Sequence, residues 1–419
     1  MKARQYAQFL GVVVALSMAA AAQAKEARPH WVSAWGSAQM VPDGDNPLPA
    51  VSWRNTSLRQ IVRLSLPARI LRVRISNVFG TTPLLLQTAA VGLATRAGAP
   101  DLLAGTARPL RFNGEAGVMV PAGGEYLSDP VELSAEAGAD LAVSMHFLGE
   151  PISQTGHPGS HANSFVVAGD QVMGEKWSGA QAFERWYQLA DVEVQADAAV
   201  GALAAIGDSI TDGHGVKTDS NTRWTDFLFQ RMRRERFPAM GIVNTGIGGG
   251  RLLRDGLGPN VISRFDRDVL TRAGVTHAVV MIGVNDLGNL HRNGDEGPQQ
   301  RARLVADLKL GYRQLAERAH ARGICLIGAT ITPYVGSDYY RPTAANEADR
   351  LELNAWIRSS GTFDAVADFD AATRDPAHAD RLAPWADFGD ALHPGADGQR
   401  AMAEAVPLDA LRGCRWKSP

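Results

Sequence analysis

The stretch that decides the fold is residues 202–215, which read Ala-Leu-Ala-Ala-Ile-Gly-Asp-Ser-Ile-Thr-Asp-Gly-His-Gly. Its first five residues form a short apolar run, typical of a buried parallel strand, and the small, turn-forming residues that follow end the strand. Such a turn exposes the next side chain at the carboxyl edge of the sheet, where α/β folds bind ligands. Ser209 stands at that edge, and we predict that it is a nucleophile.

The sequence around this stretch, from about residue 197 to the end, alternates apolar strands with longer helical patterns. This alternation predicts an α/β domain with a parallel sheet and helices on both faces. The predicted strands are residues 202–206, 242–245, 277–282, 324–329 and 366–369, and the predicted helices are residues 222–236, 261–273, 299–322, 344–359 and 398–405.

In the preceding half of the chain, apolar and polar residues alternate in short runs. This pattern predicts an all-β sandwich or jelly roll. In residues 69–78, Leu71, Val73 and Ile75 alternate with polar residues, as in a half-buried strand. Residues 57–66 precede this strand like a hairpin partner. Because 419 residues are many for one hydrophobic core, we predict a β domain over residues 25–196 and an α/β domain over residues 197–419.

Residues 1–24 match a cleavable secretory signal. Lys2 and Arg4 precede an apolar stretch from about Phe9, and the segment ends in Ala22-Gln23-Ala24. The apolar stretch is shorter than the roughly 20 residues that span a bilayer. We therefore predict a secreted or periplasmic protein that does not insert into the membrane.

The composition excludes some partners. Lysine and arginine total 42 against 44 acidic residues, a net charge of −2, so there is no basic field that would favour nucleic acid or an anionic membrane. Only Cys325 and Cys414 are present. They are able to pair in an oxidising compartment, or Cys325 is a small buried thiol, and neither is expected to be catalytic.

Loops after the next two predicted strands carry groups suited to acyl transfer. In residues 244–251, Gly246 can bring a backbone N–H close to a reacting oxygen without an intervening side chain. A dinucleotide-binding loop is the alternative, but Arg251 stands where that pattern needs its third glycine. After the third strand, the Asn285 amide is either a neutral donor to an oxyanion or a turn cap.

The residues before the last predicted helix supply a base. Asp390 precedes His393 by three residues, close enough on one local turn for its carboxylate to hold one imidazole nitrogen. The other nitrogen of His393 would then face Ser209.

Together these motifs resemble the SGNH, or GDSL, hydrolase superfamily over about residues 200–410. The matching blocks are residues 207–209, 283–286 and 390–393. The resemblance implies a flavodoxin-like three-layer α/β/α domain in which Ser209, His393 and Asp390 are catalytic. It also implies an oxyanion hole made by the backbone N–H groups of Ser209 and Gly246 and the side chain of Asn285, with no cofactor or metal.

The expected function is a serine carboxylic ester hydrolase that removes short acyl groups such as acetyl, with a small-molecule or polysaccharide ester as substrate, most simply a carbohydrate. The alternatives are a lysophospholipase or arylesterase, and a non-catalytic carbohydrate-binding protein. The first half resembles, mainly over residues 58–80, the jelly-roll-like domain attached to some secreted bacterial SGNH esterases. Its role is open among a carbohydrate-binding module, a wall of the active site and a scaffold.

Other residues have weaker patterns. His214 follows Ser209 too closely in sequence to be the expected base. His157 and His161 have a spacing that can ligate metal on a helix, but Pro158 and Gly159 predict a loop, so these histidines are not expected to bind a metal. The alternative is that they line a substrate edge. Trp385 and Phe388 form either an acyl or sugar platform or a packed loop.

Overall fold

The computed structural model describes residues 30–48, 53–151, 153–294 and 297–413. The predicted signal peptide and Cys414 lie outside these residues. Within the described part of the chain, no helix is long and apolar enough to cross a membrane.

Residues 30–196 are rich in strands. The strands in chain order are β1 (His30–Gly36), β2 (Thr56–Arg63), β3 (Ala68–Ser76), β4 (Leu84–Leu86), β5 (Thr88–Leu93), β6 (Arg108–Pro109), β7 (Val118–Val120), β8 (Glu125–Leu127), β9 (Val131–Ala135), β10 (Asp140–Phe147), β11 (Gly156–His157), β12 (Ser164–Ala168), β13 (Gln181–Phe183), β14 (Trp186–Tyr187) and β15 (Leu189–Ala196).

Most of these strands belong to two sheets that share one apolar core. The first sheet has the order β1-β15-β3-β8, with β9 also paired to β3, and the second has the order β13-β12-β2-β10-β5-β6. Val73 of β3 and Val143 of β10, one from each sheet, are fully buried in the same cluster. This arrangement is the predicted sandwich.

The alternation read from residues 69–78 is confirmed, but the predicted hairpin is wrong. Leu71, Val73 and Ile75 are fully buried, whereas Arg72 and Arg74 are partly exposed. β2 pairs with β10 and β12, and β3 pairs with β15, β8 and β9. The two-residue period determines which side chains are buried, but it does not determine which strand is the neighbour.

The rest of the chain is an α/β structure. Its elements are β16 (Gly201–Gly207), α1 (Ser209–Asp212), α2 (Trp224–Arg234), β17 (Met240–Gly246), α3 (Val261–Phe265), β18 (Val275–Met281), α4 (Val284–Arg292), α5 (Pro298–His320), β19 (Cys325–Ala329), α6 (Ala344–Ser359), β20 (Ala365–Ala367), α7 (Phe369–Thr373) and α8 (Ala396–Ala405), with a π-helical turn at Asp266–Leu270 and a 3-10 helix at Leu408–Arg412.

The five strands of this part form a parallel sheet in the order β17-β16-β18-β19-β20. This order is that of flavodoxin-like folds, so the predicted fold class is confirmed. The sequence pattern predicts a loop at Gly283-Val284-Asn285-Asp286 and therefore misses α4. In the structure, Asn285 lies in the first turn of this helix.

Residues from Trp31 onward form one compact unit in which the sandwich contacts the α/β part. Ile242 of β17 donates its N–H to Ser65 Oγ at 2.8 Å. Arg272 and Asp191 form a buried ion pair with a distance of 3.0 Å between Nη1 and Oδ2. β15 ends at Ala196 and β16 begins at Gly201, and a domain boundary near residue 196 stays a prediction.

Cys325 is buried in β19 and is disulfide-bonded. The alternative of a free buried thiol is therefore wrong for this residue.

Candidate active site

Ser209 lies where the order of the parallel sheet switches direction. The chain runs from β16 outward to β17 and then returns to β18 on the other side of β16. The carboxyl ends of such strands border a crevice in which open α/β sheets bind ligands. Ser209 is the first residue of α1, and the Asp208 side chain accepts a hydrogen bond from the Ile210 N–H at the start of that turn.

Three of the predicted site residues form one hydrogen-bonded chain. Ser209 Oγ lies 2.8 Å from His393 Nε2. His393 Nδ1 lies 2.6 Å from Asp390 Oδ2. If Asp390 is ionised, Nδ1 carries the proton and Nε2 is free to accept the serine proton. In this geometry the imidazole can act as a base toward Ser209.

The acid and the base are held by their own loop. The other carboxylate oxygen of Asp390 accepts the backbone N–H of His393 at 2.8 Å and that of Leu392 at 3.0 Å. The Phe388 N–H donates to the His393 carbonyl oxygen at 2.9 Å. The spacing of three residues therefore gives the carboxylate both a backbone and a side-chain contact with the histidine.

Asn285 is fixed by two partners that sequence reasoning missed. Its Nδ2 donates to the Gly250 carbonyl oxygen at 2.8 Å, and its Oδ1 accepts from the Tyr340 hydroxyl at 2.6 Å. An amide nitrogen has two hydrogens, so one remains for a ligand. Tyr340 lies 55 residues after Asn285, and no spacing in the sequence connects them.

The structure corrects the predicted role of Gly246. Its N–H donates to Asn244 Oδ1 at 2.9 Å within the same loop. A Cβ on Gly246 would meet the backbone nitrogen of Asp212 at 2.3 Å, so this glycine packs against α1. The lack of a side chain at Gly246 permits the close approach of the helix, and its N–H does not face a reacting oxygen.

Gly249 in the same loop has the free amide. Within residues 246–250, its N–H is the one for which the described residues supply no acceptor. It lies between Gly248, whose N–H donates to Asp212 Oδ2 at 3.0 Å, and Gly250, whose carbonyl oxygen binds Asn285. Gly249 has a φ of +67°, which favours glycine. The run of glycines was visible in the sequence, but which amide stays free depends on the loop's contacts.

Residues 205–401 match the model of the GDSL-like lipase/acylhydrolase family. This part of the chain is a GDSL hydrolase domain. The predicted resemblance is therefore confirmed.

Solved structures similar to the GDSL domain have low sequence identity. A GDSL-like lipase from Bacteroides thetaiotaomicron is 18% identical with a TM-score of 0.37, and the match covers 50% of this chain and 88% of that one. An acetyl xylan esterase from Geobacillus stearothermophilus is 19% identical with a TM-score of 0.37, and the match covers 52% of this chain and 99% of that one. No curated protein matches the chain at a significant level.

The electrostatics of the GDSL domain keep Asp390 ionised. Partial burial opposes ionisation, but the hydrogen bonds from His393 outweigh it and lower the pKa of Asp390 to about 2. At neutral pH the carboxylate is therefore charged, and it can accept the Nδ1 hydrogen of His393.

Two other carboxylates of the GDSL domain have raised pKa values. Burial raises the pKa of Asp208 to about 7 and that of Asp286 to about 6. Asp286 accepts the N–H groups of Leu252 at 2.8 Å and Leu253 at 3.2 Å, and so holds the end of the glycine loop against α4.

His214 lies beside His393, but it is the His393 ring that forms the hydrogen bond with the Ser209 hydroxyl. Its ring centroid is 4.1 Å from that of His393 and 6.0 Å from that of Phe388. Burial and the adjacent His393 lower the pKa of His214. Which of the two rings acts as the base stays a prediction, and the contact with the serine hydroxyl favours His393.

His157 and His161 do not share a ligand. His157 Nε2 lies 2.9 Å from Asp212 Oδ1, and its Nδ1 lies 2.9 Å from the Ala38 carbonyl oxygen. His161 Nδ1 instead lies 3.5 Å from Glu184. His157 is buried in β11 and both of its ring nitrogens are bonded to protein oxygens, so it presents no free polar atom to a substrate.

Exposed apolar side chains surround the crevice. Phe388 packs next to His214, and Tyr339 stacks edge-on against Tyr340 with 4.7 Å between ring centroids. A Cβ on Gly249 would meet Leu257 at 3.1 Å. Phe388, Tyr339, Leu257 and the nearby Trp385 each have more than half of their surface exposed, at 52%, 57%, 63% and 54%. About half of the Trp385 and Phe388 side chains is exposed, and Phe388 also contacts His214, so the choice between a substrate platform and a packed loop stays a prediction.

Proposed function

We propose that this protein is a serine-dependent carboxylic ester hydrolase. The observation that carries the proposal is the hydrogen-bonded chain from Ser209 through His393 to Asp390, with the free N–H of Asn285 on the neighbouring strand end. Membership of residues 205–401 in the GDSL-like lipase/acylhydrolase family supports hydrolysis as the reaction class.

The reaction follows from these positions. His393 Nε2 removes the Ser209 proton as Oγ attacks the ester carbonyl carbon, and the carbonyl oxygen becomes an oxyanion. The Asn285 amide and the N–H groups of Ser209 and Gly249 stabilise that charge. His393 then protonates the departing alkoxide. Water, deprotonated by His393, attacks the acyl-enzyme and releases the acid, and Asp390 stabilises the imidazolium at both stages.

We further propose that the substrate is a short acyl ester, such as an acetyl ester of a carbohydrate, and that the enzyme acts outside the cytoplasm. The signal-like residues 1–24 support export. The exposed Trp385 and Phe388 support a sugar ring near the catalytic histidine, since aromatic faces with a wet edge suit such a ligand.

A lysophospholipase or arylesterase activity is the second candidate. Leu257 and Tyr339 add aliphatic and aromatic surface to the same rim, which suits an apolar acyl chain or an aromatic alcohol.

Hydrolysis of p-nitrophenyl esters from acetate to laurate tests the proposal. We expect the highest kcat/KM for acetate, and a loss of about 10⁴-fold or more in kcat for Ser209→Ala. Equal rates for the two proteins would disprove the nucleophile. A maximum at long chains would favour the second candidate.

Release of acetate from a panel of acetylated polysaccharides tests the carbohydrate part. The Ser209→Ala variant is the matched control, because it keeps the rim and lacks the nucleophile. No release above this control from any polysaccharide, with p-nitrophenyl acetate still hydrolysed, would remove carbohydrate from the proposal.

A further inference from the structure

A buried histidine of the strand-rich part, in the two-stranded sheet that β11 forms with β14, contacts the helix that begins with the proposed nucleophile. His157 is 3% exposed and Asp212 is 5% exposed. His157 Nε2 lies 2.9 Å from Asp212 Oδ1. Asp212 is the last residue of α1, one turn after Ser209. This contact therefore joins the two parts of the chain next to the site.

The two ring nitrogens of His157 face different hydrogen-bond acceptors. Nδ1 faces the Ala38 carbonyl oxygen, which only accepts, so Nδ1 carries a hydrogen. Nε2 faces a carboxylate whose other oxygen accepts the Gly248 N–H. Burial raises the pKa of Asp212, but the positive field of His157 outweighs it, so the net pKa is lowered. Asp212 is accordingly a carboxylate, and both ring nitrogens of His157 face hydrogen-bond acceptors.

The same carboxylate holds the glycine loop. Asp212 Oδ2 accepts the Gly248 N–H at 3.0 Å, and Gly249 with its free amide is the next residue. The peptide plane between Gly248 and Gly249 carries that amide. Fixing the nitrogen of Gly248 therefore limits the directions in which the Gly249 N–H can point.

Other residues pack closely around the contact between His157 and Asp212. A Cβ on Gly159 would meet Asp212 Oδ2 at 2.1 Å, so the loop after His157 needs a glycine there. The His157 ring stacks on Trp186 with 5.7 Å between centroids. Arg223 donates from Nε to the Asp212 carbonyl oxygen at 2.7 Å. These contacts restrict the His157 ring and the backbone of Asp212, and so indirectly the position of its carboxylate.

We propose that His157 is a positioning residue for ester hydrolysis, which through Asp212 and Gly248 aims the Gly249 N–H at the oxyanion. The inference rests on the proposed function. It gives the strand-rich part of the chain a role in catalysis that differs from binding carbohydrate or lining the crevice, because His157 acts on the glycine loop only through Asp212.

A matched pair of variants at position 157 tests the proposal. The Nδ2 of asparagine overlays histidine Nδ1, and the Nε2 of glutamine overlays histidine Nε2. His157→Asn thus keeps the bond to Ala38 and loses Asp212, whereas His157→Gln keeps a donor to Asp212. We expect kcat to fall about 10- to 100-fold in His157→Asn and less than about fivefold in His157→Gln, with KM within about threefold in both.

The affinity for a boronic acid inhibitor distinguishes a misoriented oxyanion hole from a general loss of folded protein. The inhibitor forms an adduct with the serine that places an oxygen where the oxyanion forms. We expect its affinity to fall by about the same factor as kcat, as for a transition-state analogue. Titration of Ser209 with a fluorophosphonate measures the fraction of protein that has a reactive serine. Dividing each rate by this fraction corrects kcat for any protein that is not folded.

A second pair, at position 212, keeps the proposal falsifiable if His157→Asn does not fold. Asp212→Asn retains an oxygen for the Gly248 N–H and can donate to a neutral His157, whereas Asp212→Ala retains neither. We expect a loss of about 100-fold in kcat for alanine and less than about tenfold for asparagine.

The outcomes are distinct. The inference is overturned if His157→Asn and Asp212→Ala keep the wild-type kcat, if the loss is confined to KM, or if boronate affinity does not change. It is also overturned if glutamine is no better than asparagine at position 157. Failure of the proposed function shows itself differently, as wild-type protein without Ser209-dependent ester hydrolysis.

Discussion

The loops of the parallel sheet and the loops of the sandwich both reach the site, but they contribute different things. Ser209, Asn285 and His393 come from the α/β part and have polar atoms available to a ligand. His157 comes from the strand-rich part, and both of its ring nitrogens are bonded to protein oxygens. In the proposed mechanism, one region therefore supplies the reacting groups, while the other stabilises and orients them. Changes in the first should therefore alter rate, and changes in the second should first alter stability or orientation.

The largest expected effect is in the α/β part. We expect His393→Ala to lower kcat by about 10⁴-fold or more, and Asp390→Asn to cost about 10- to 100-fold less than that. The reason is that His393 moves the proton, whereas Asp390 orients the ring and stabilises its charge. Steady-state hydrolysis of p-nitrophenyl acetate measures both. Wild-type rates for Asp390→Asn would show that the ring is oriented by other groups.

The next effect concerns the oxyanion. We expect Asn285→Ala to lower kcat by about 10²- to 10³-fold with little change in KM, because its amide acts in the transition state. Tyr340→Phe keeps the ring and removes only the hydroxyl that holds Asn285, and a loss of about tenfold is expected. The split between kcat and KM checks this, and a change confined to KM would contradict it.

The contact between the two regions should affect stability. Arg272→Ala leaves Asp191 buried without its charged partner and removes the hydrogen bonds that Arg272 donates to the carbonyl oxygens of Ala190 and Ser37. We expect the free energy of unfolding to fall by about 3–5 kcal/mol. Arg303→Ala, in an exposed ion pair with Asp307, is the control and should change it by less than about 0.5 kcal/mol. Urea unfolding measures both, and equal values would contradict the distinction.

The smallest effect is a pH dependence of stability. The pKa of Asp208, about 7 in the folded protein, exceeds its value of about 4 in the unfolded chain. This difference stabilises the folded state fully below about pH 4, and the contribution is lost as the pH rises through about 7. Asp208→Asn lacks this titration, so its unfolding midpoint in urea should fall less than that of the wild type between pH 5 and pH 8. Parallel profiles would contradict this expectation.

Much of the site could be predicted because its residues follow local signals. Ser209 and Asn285 each come directly after an apolar strand, and parallel strands bring such positions to one edge of the sheet. Asp390 and His393 are three residues apart, and their contact forms within a single turn. The prediction that the Gly246 N–H binds the oxyanion is wrong, because the spacing of glycines in a run does not show which backbone N–H already donates to an acceptor in its own loop.

The sequence by itself determined the hydrophobic periods of the two halves of the chain. It also determined the parallel strands and the order of the groups that surround Ser209. These features depend on contacts between residues near in sequence and on the burial of apolar faces, both of which leave a repeating pattern. Only the tertiary structure decided that β2 pairs with β10, that Tyr340 holds Asn285 and that His157 reaches Asp212. Each of these joins residues far apart in the chain, and a single long-range contact leaves no period in the sequence.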